Sequence, residues 1–449
     1  MKTFWKSPGL RLFAAVWLVY SVCPPFLSYD SYWSVATALS LLERGTTRMD
    51  ALVAGAPPQA EYGLECVPAN GPALTRSIAA GCAEGHWYSN FPLGTAVLVL
   101  PLLAAMKGVV AVVGPLMPRT GFFARPEVAA FFAGDLLGGR PLTELWCAST
   151  IGAVTVWLQY QLGLLFLSRR GALWFALLFA FGTTEFSLAS RNLFPHGLTL
   201  LLLSAALYAL LKASKEGSGG YALTGFLLAA AFAVRPSNAI SCVLLALYVA
   251  IQERRHLLHF LAGAVPVAIL FFGYQLQVRH SLIPLYLTAP KNSNPFWEGM
   301  AMNLFSPSRG LLVFTPVFLF ATAGMALARR QRWCGALAPY LTAIVILHTV
   351  VIATIWPGHC YGPRYFADLT HLLMFFLMPA ILWWRGSVSR MRSGFAVVFL
   401  VLAGWGVFVH VHGATSIAAN QWSALPVNVD EARGRVWDWR DPQFLRGLF

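Results

Sequence analysis

Residues 197–235, GLTLLLLSAALYALLKASKEGSGGYALTGFLLAAAFAVR, contain two apolar segments separated by a short polar break. Each segment approaches the roughly 20 mostly apolar residues that a membrane-spanning helix needs. The break carries Lys212 and Lys215, and basic breaks between spans mark the cytoplasmic side of a membrane. This stretch therefore predicts two neighbouring membrane helices with their connection in the cytoplasm.

The composition extends this prediction to the whole chain. Of its 449 residues, 57% are hydrophobic and only 11% are charged, and the mean hydropathy is +0.63. Soluble domains carry about 25% charged residues, so this chain has too few charges to cover soluble surfaces. We therefore exclude a soluble enzyme, a disordered protein and a nucleic-acid-binding protein, despite the net charge of +14. The basic excess is better interpreted as a signal of membrane topology.

The apolar segments predict an all-α, polytopic membrane bundle of about 11 spans. The first span, about Leu10–Leu27, follows a basic N-terminus and lacks a cleavage pattern. Alternate breaks between the later spans hold twelve Lys and Arg residues, whereas the intervening breaks hold six. The positive-inside rule therefore places the N-terminus in the cytoplasm and the C-terminus outside. The ten later spans are predicted near 143–167, 172–190, 197–212, 221–235, 238–252, 257–277, 310–328, 335–355, 369–384 and 394–412.

The chain is predicted to be one integral membrane domain, 1–449, without a soluble domain. The apolar stretch Phe91–Gly114 is the segment that is difficult to place, because a lone crossing there would reverse the side of every later basic break. We expect it to form juxtamembrane helices at the outer interface; a return span through Pro126–Gly138 is the alternative. The outer face then carries a first loop, a second large loop and a tail, which are residues 28–141, 278–309 and 413–449.

Two of the seven cysteines lie in the first outer loop. Cys66 and Cys82 could form a disulfide in an oxidising periplasm, but the sequence leaves two free thiols equally open. No CxxC motif and no His/Cys spacing typical of a metal site occurs in the sequence.

Asp30 is an ionisable residue at the outer end of the first span, in YDSYW (29–33). Charged groups at membrane depth are unfavourable and often mark functional sites. Helical spacing of apolar residues after Asp30 continues until Gly45, so a helix is predicted there. Asp30 could simply cap this helix, or it could act as a general base that deprotonates a hydroxyl.

Three outward turns carry arginines on the side where basic residues are disfavoured. They are Arg191, Arg235 and Arg364. Together they predict a site for an anionic group, because the guanidinium fork suits phosphate. Simpler interpretations are an ion pair between Glu185 and Arg191, and one between Arg364 and the nearby Asp368.

The two large outer loops hold further candidates. The segment HWYSNFPLG (86–94) could bind a lipid head group or merely anchor an interfacial helix. Lys291 and Arg309 add positive charge to the same face, although the first could be ordinary solvated loop.

Taken together, these motifs resemble the GT-C membrane glycosyltransferases, in particular the bacterial relatives of protein O-mannosyltransferases and of lipid A aminoarabinose transferase. The resemblance covers most of the chain. Its elements are YDSYW (29–33), HWYSNFPLG (86–94), SRNLFPH (190–196), RPSN (235–238), SPSRGLLVFTP (306–316) and YGPRYFADL (361–369).

The resemblance implies a GT-C-like fold and an inverting transfer of a monosaccharide, such as mannose or arabinofuranose, from a polyprenyl-phosphate donor. The acceptor would be a protein, glycan or lipid hydroxyl at the periplasmic face of a bacterial inner membrane. Asp30 would be the base, with Glu185 as a second acid. The donor phosphate would be held by Arg191, His196, Arg235, Arg364 and Tyr365, and a donor or acceptor loop would include His86, Tyr88, Lys291 and Arg309.

One departure from the family concerns metal assistance. Many relatives have two adjacent acids where this chain has Tyr29-Asp30-Ser31. A single carboxylate is a poor site for a divalent ion, so we predict no cofactor and leave metal dependence open. The alternative function is a polytopic transporter or a flippase for lipid-linked sugars. It is disfavoured because we find no repeated halves and because the unusual residues cluster at the outer ends of the spans.

Overall fold

Long apolar segments dominate the fold, and they form helices that pack side by side. The computed structural model describes residues 7–56, 58–69, 73–74, 77–83, 85–216, 219–284, 293–386 and 388–448. Lys291, predicted as part of a donor or acceptor loop, lies outside the described residues. The longer helices are α1 (Pro8–Val22), α2 (Tyr29–Arg44), α3 (Gly94–Val113), α4 (Arg140–Leu164), α5 (Arg169–Gly182), α6 (Pro195–Glu216), α7 (Gly220–Val234), α8 (Ala239–Gln252), α9 (Leu257–Arg279), α10 (Phe296–Phe305), α11 (Leu319–Ala328), α12 (Ala338–Ala353), α13 (Thr370–Arg385) and α14 (Ser389–Thr415).

Five helical segments of the described chain are long and apolar enough to cross a membrane. They are Gly94–Leu116, Pro195–Lys215, Arg254–Arg279, Arg364–Arg385 and Ser393–Thr415, and five shorter apolar helices accompany them. The helical class is therefore as predicted, whereas the count of eleven spans stays a prediction. Gly94–Leu116 has the length and composition of a span, so whether it crosses or lies at the interface also remains a prediction.

Two predicted spans are interrupted. The segment predicted at 310–328 is divided into Leu311–Phe314, a turn at Pro316–Phe318 and α11, because proline at position 316 cannot donate the backbone hydrogen bond that a continuous helix requires. The segment predicted at 172–190 ends as a regular helix at Gly182, and Glu185–Ala189 forms a single π-helical turn. Single π-helical turns are rare in proteins as a whole, but many of those that occur lie at functional sites.

Close helix packing in the bundle depends on glycine. In α7, a Cβ atom added at Gly225 would lie 2.0 Å from the carbonyl oxygen of Phe260 in α9. In the reverse direction, a Cβ added at Gly263 would lie 1.8 Å from the carbonyl oxygen of Ala222. Any larger residue would force the two backbones apart, so these glycines set the separation of α7 and α9.

Residues 23–28 separate α1 from α2. Helix α2 ends just before Gly45, where the sequence predicts its end. Gly45 follows its last residue in a left-handed conformation (φ 66°), which glycine adopts without strain. The N-cap is Ser28, whose hydroxyl oxygen accepts a hydrogen bond from the backbone N–H of Asp30 at 3.1 Å. The interpretation of Asp30 as the helix cap is therefore wrong, and its carboxylate is available for other contacts.

The first outer loop folds into a small external subdomain. Strands β1 (Leu64–Pro68) and β2 (Gly85–Ser89) pair antiparallel, with Cys66 opposite Trp87. A disulfide joins Cys66 to Cys82, which resolves the two alternatives in favour of pairing. Trp33 of α2 is fully buried against this subdomain, so α2 and the strands form one apolar core.

An ion pair attaches the external subdomain to the helical bundle. Glu65 in β1 is fully buried, and its Oε1 lies 2.6 Å from Nε of Arg279 at the end of α9. Burial raises the pKa of Glu65 to about 7, although Arg279 acts in the opposite direction. The bridge is therefore sensitive to protonation near neutral pH.

The C-terminal tail folds back onto the ends of the helices that were predicted to face outward. Its anchor is Arg309, a fully buried arginine that donates hydrogen bonds to Gln443 Oε1 (2.8 Å) and Ser423 Oγ (3.1 Å). The guanidinium also lies over the ring of Trp422, 5.5 Å from its centroid. These contacts give the buried arginine of the segment SPSRG (306–310) its hydrogen-bond partners.

Candidate active site

A cavity of about 1620 Å³ opens between the start of α2, helix α4 and three outward turns. Its lining includes Asp30 and all three of the arginines singled out by the sequence, Arg191, Arg235 and Arg364. His196 and Tyr365 line it as well. Residues that lie far apart in the chain therefore meet at one place because their turns share one end of the bundle.

Asp30 has a different partner on each carboxylate oxygen. Arg364 Nη2 forms an ion pair with Oδ2, and the hydroxyl of Tyr62 donates to Oδ1. Both Asp30 and Arg364 are mostly buried, with side-chain exposures of 18% and 16%. The structure thus joins the predicted base directly to a predicted phosphate-binding residue.

A buried network lies behind this pair. Asp368 contacts Arg235 Nη1 through Oδ2, and its Oδ1 lies 2.8 Å from Nδ1 of His196. The expected ion pair between Asp368 and Arg364 is therefore wrong, because Asp368 is paired with Arg235 and His196 whereas Arg364 is paired with Asp30.

His196 connects the two arginines of this network. Its Nε2 lies 3.4 Å from Nε of Arg364. A neutral imidazole with the proton on Nδ1 donates to Asp368 and accepts from Arg364. Arg235 Nη1 lies 2.9 Å from the same Nδ1, and in this tautomer it donates to Asp368 instead. His196 therefore fixes the orientation of Arg364 relative to Asp368.

Arg191 is a buried arginine of the cavity lining that retains a hydrogen-bond donor without a partner among the described residues. It is fully buried, and its Nη2 donates to the carbonyl oxygen of Tyr20 at 2.8 Å. Among the described residues, its Nη1 has no hydrogen-bond partner. A buried guanidinium with an unused donor at a cavity wall is suited to an anionic ligand.

Glu185 lies close by but not in the cavity wall. Its side chain is fully buried, and neither carboxyl oxygen has a hydrogen-bond partner within the described chain. The expected ion pair with Arg191 is not formed as a direct contact among the described residues. The proposed role of Glu185 as a second acid stays a prediction without geometric support from the cavity.

Glu144 is a buried residue that connects two parts of the site, and the sequence analysis did not identify it. Its Oε2 accepts hydrogen bonds from Ser31 Oγ (2.7 Å) and from the backbone N–H of Leu193 (3.1 Å). Arg140 Nε lies 3.2 Å from the other oxygen. A glutamate and an arginine four residues apart at the start of an apolar segment were the signal available in the sequence.

This carboxylate therefore ties together two parts of the site. Ser31 follows Asp30 at the start of α2, and Leu193 belongs to the turn that carries Arg191 and His196. Together with the hydrogen bond from Asn192 Nδ2 to the Phe26 carbonyl oxygen at 2.7 Å, Glu144 fixes the position of this turn relative to the start of α2.

The remaining candidates lie away from the cavity lining. His86 in β2 is 3.0 Å from Asp50 Oδ2 on the external subdomain, and Tyr88 is buried in the same strand. Arg309 binds the C-terminal tail, as described above. The structure therefore brings together Asp30, Arg191, His196, Arg235, Arg364 and Tyr365, but not His86, Tyr88, Glu185 or Arg309.

The walls of the cavity differ in polarity. One side is formed by apolar residues at the end of α3, in the following loop and in α4, including Val113, Met117, Phe122, Phe123, Phe132 and Trp146. Another part of the lining is polar and comes from the turn at His359 and from the tail, including Asn420, Gln421 and Asp430. The arginines lie in the same cavity as both walls, so one ligand could present an apolar chain, an anionic group and a polar group.

Within the described chain, no group of three or more His, Cys, Asp or Glu side chains is arranged to hold a metal ion.

Comparison with known proteins gives one match. Residues 130–274 match the family model of dolichyl-phosphate-mannose-protein mannosyltransferase, whereas no curated protein matches the chain. The matched region contains Glu144, Arg191, His196 and Arg235 but neither Asp30 nor Arg364.

Proposed function

We propose that this chain is a multi-pass membrane glycosyltransferase of the GT-C type that uses a lipid-phosphate sugar donor and transfers a monosaccharide to a hydroxyl at the outer face of a bacterial inner membrane. The match of residues 130–274 to the dolichyl-phosphate-mannose-protein mannosyltransferase family supports the donor class. The proposal concerns the sugar (mannose or a related monosaccharide such as arabinofuranose), the acceptor, the side of the membrane and the residues.

The observation that carries the proposal is the contact between Asp30 and Arg364 in the wall of one cavity. A transferase of this kind needs a base for the acceptor hydroxyl within a few ångströms of the group that holds the departing phosphate. Asp30 supplies the carboxylate, and Arg364 the guanidinium. Arg235 and Arg191 add positive charge to the same cavity.

The reaction follows from this arrangement. The acceptor oxygen attacks the anomeric carbon from the side opposite the phosphate, so the configuration inverts. Its proton passes to the Asp30 carboxylate, and the bond between the anomeric carbon and the phosphate oxygen breaks. The phosphodiester of the donor has one negative charge, and the polyprenyl phosphate that leaves has up to two. Fixed guanidinium groups stabilise this developing charge.

The apolar wall supports a polyprenyl donor. Phenylalanines and Trp146 on that side of the cavity can contact the first isoprene units, while the rest of the chain stays in the bilayer. Burial of apolar surface contributes about 25 cal/mol per Å², so the lipid supplies binding energy that is independent of the sugar. The acceptor would enter at the polar wall, which suits a protein, glycan or lipid head group.

Two features support an outward-facing site. The cavity is lined by the turns that the positive-inside rule assigns to the outer face, and the disulfide between Cys66 and Cys82 belongs to the first outer loop. A bacterial inner membrane with the site at the periplasmic surface fits both.

The experiment compares cells with and without the gene by mass spectrometry of glycoproteins and glycolipids. Cells that carry Asp30→Asn should lose the same glycosylated products as cells without the gene. The matched control is Asp135→Asn, since Asp135 only accepts a hydrogen bond from the backbone of Gly138 and asparagine can still accept it. Unchanged products in the deletion strain would contradict the proposed function.

A further inference from the structure

We infer that Tyr62 is a positioning residue for the catalytic carboxylate, and that it holds Asp30 in place while the donor phosphate binds Arg364. This inference rests on the proposed function. It adds a residue from the external subdomain to the site, at a position that neither the family match nor the sequence motifs include.

The contacts of Asp30 divide its two oxygens between two elements. Oδ2 is paired with Arg364, and Oδ1 accepts the hydrogen bond from the Tyr62 hydroxyl. Tyr62 also lines the cavity. The hydroxyl therefore contacts the oxygen that does not face the arginine.

Arg364 is the partner of Asp30 that a donor phosphate would compete for. Its guanidinium lines the cavity and lies over the ring of Phe194, 4.6 Å from the centroid. A carboxylate engaged by a guanidinium is a weak proton acceptor, because its negative charge is already stabilised. When phosphate takes over the guanidinium, Oδ2 becomes the oxygen that can accept the proton of the acceptor hydroxyl.

A second contact must then keep Asp30 in position. Reacting groups need to be held within a fraction of an ångström of their productive geometry. The backbone at Asp30 is fixed by the hydrogen bond to Ser28, but the carboxyl group can still rotate. Tyr62 restricts that rotation by holding Oδ1.

Tyr62 itself is held firmly by the external subdomain. Asn90 Nδ2 donates to the Tyr62 carbonyl oxygen at 2.8 Å, and the Tyr62 ring packs edge-to-face on Phe91 with centroids 6.3 Å apart. Two residues earlier, the Ala60 carbonyl accepts from Trp33 Nε1 in α2 at 2.7 Å. The hydroxyl is therefore fixed relative to α2, the helix that carries Asp30.

The experiment measures release of mannose from polyprenyl-phosphate mannose by the full-length protein in lipid nanodiscs, with water as acceptor. In this reaction a water proton goes to Asp30, the water oxygen bonds to the anomeric carbon, and polyprenyl phosphate leaves. Tyr62→Phe keeps the ring on Phe91 and removes only the hydroxyl. We expect kcat to fall about tenfold while KM for the donor changes less than about twofold.

Two further variants make the test specific. Tyr62→Phe should cause no additional loss in an Asp30→Asn background, because the hydroxyl acts through that carboxylate. Tyr340→Phe is the matched control, since Tyr340 packs on Tyr248 and is not part of the cavity lining. A kcat for Tyr62→Phe within twofold of wild type, or an equal loss in both backgrounds, would overturn the inference and leave the proposed function intact. No turnover by the wild-type protein would overturn the proposed function and this inference with it.

Discussion

Asp30 and Arg364 are 334 residues apart in sequence and form an ion pair in the wall of the cavity. One was predicted as the base and the other as a ligand of the donor phosphate, so their direct contact relates the two halves of the proposed reaction. Under the proposed function, the Asp30 carboxylate and the donor phosphate compete for the Arg364 guanidinium. Base strength and donor binding should therefore change together when either residue is altered.

Asp30→Asn is expected to separate binding from turnover. Loss of a positioned base lowers rates by about 10²–10⁴-fold, whereas removal of the competing charge should tighten binding of polyprenyl phosphate severalfold. Both quantities can be measured on the purified protein in nanodiscs, with Asp135→Asn as control. Wild-type turnover in Asp30→Asn would rule out the base assignment, and weaker lipid binding would contradict the competition.

Arg364→Ala should mainly affect the donor. Removal of a guanidinium that binds phosphate is expected to raise KM for polyprenyl-phosphate mannose by about tenfold or more, and Arg364→Lys should recover only part of the loss because an ammonium lacks the planar fork. Donor titrations provide the measurement. Arg330→Ala is a suitable control, since Arg330 is exposed on a predicted cytoplasmic loop. An unchanged response to donor concentration would count against the phosphate role.

Glu144→Ala is expected to destabilise the protein by about 3–5 kcal/mol, because it leaves Arg140 buried without its partner. Ser31 and the backbone of Leu193 would lose an acceptor as well. Glu144→Gln, which keeps an acceptor, should be less harmful. Thermal unfolding in detergent measures the difference. Equal stability of Glu144→Ala and wild type would show that this carboxylate does not organise the site.

The stability of the external subdomain should decrease as pH rises. The pKa of Glu65 is raised to about 7 by burial, above its value of about 4.3 in an unfolded chain. Folding therefore favours the protonated form, and the stabilising contribution is fully present below the unfolded value and is lost as pH rises through 7. Hydrogen exchange of the β1 and β2 amides between about pH 5 and pH 8 would detect this loss. Glu65→Gln should remove most of the pH dependence, and an equally steep profile in that variant would contradict the assignment.

The orientation of the chain can be tested with topology reporters. A reporter fused after Arg332 should be cytoplasmic, because that break is strongly basic. One fused at the C-terminus should be periplasmic. The opposite pair of results would place the cavity on the inner side and contradict the proposed site of transfer.

Part of the site could be predicted because its arginines lie at the predicted outer ends of membrane spans, where basic residues are disfavoured. Arg191, Arg235 and Arg364 all lie at predicted outer ends, and such ends of a bundle converge in space. The end of α2 at Gly45 was also predictable, since a local conformational preference determines it. These inferences needed only hydropathy, charge and turn chemistry.

The pairing of side chains could not be predicted in the same way. Asp368 is four residues from Arg364 but contacts Arg235 and His196, because the packing of α6 against the 364–369 turn decides which groups meet. Tyr62 lies in an irregular segment without periodicity, and the contacts of Glu144 with Ser31 and Leu193 join parts of the chain that are far apart in sequence. Contacts of this kind depend on long-range packing, which leaves no local pattern in a single sequence.

Asn420, Gln421 and Asp430 of the cavity lining follow α14, and Arg309 holds the same tail through Ser423 and Gln443. During synthesis these residues leave the ribosome after helices α1 to α14 have been made. The cavity therefore acquires this part of its lining last, after Asp30 and the three arginines.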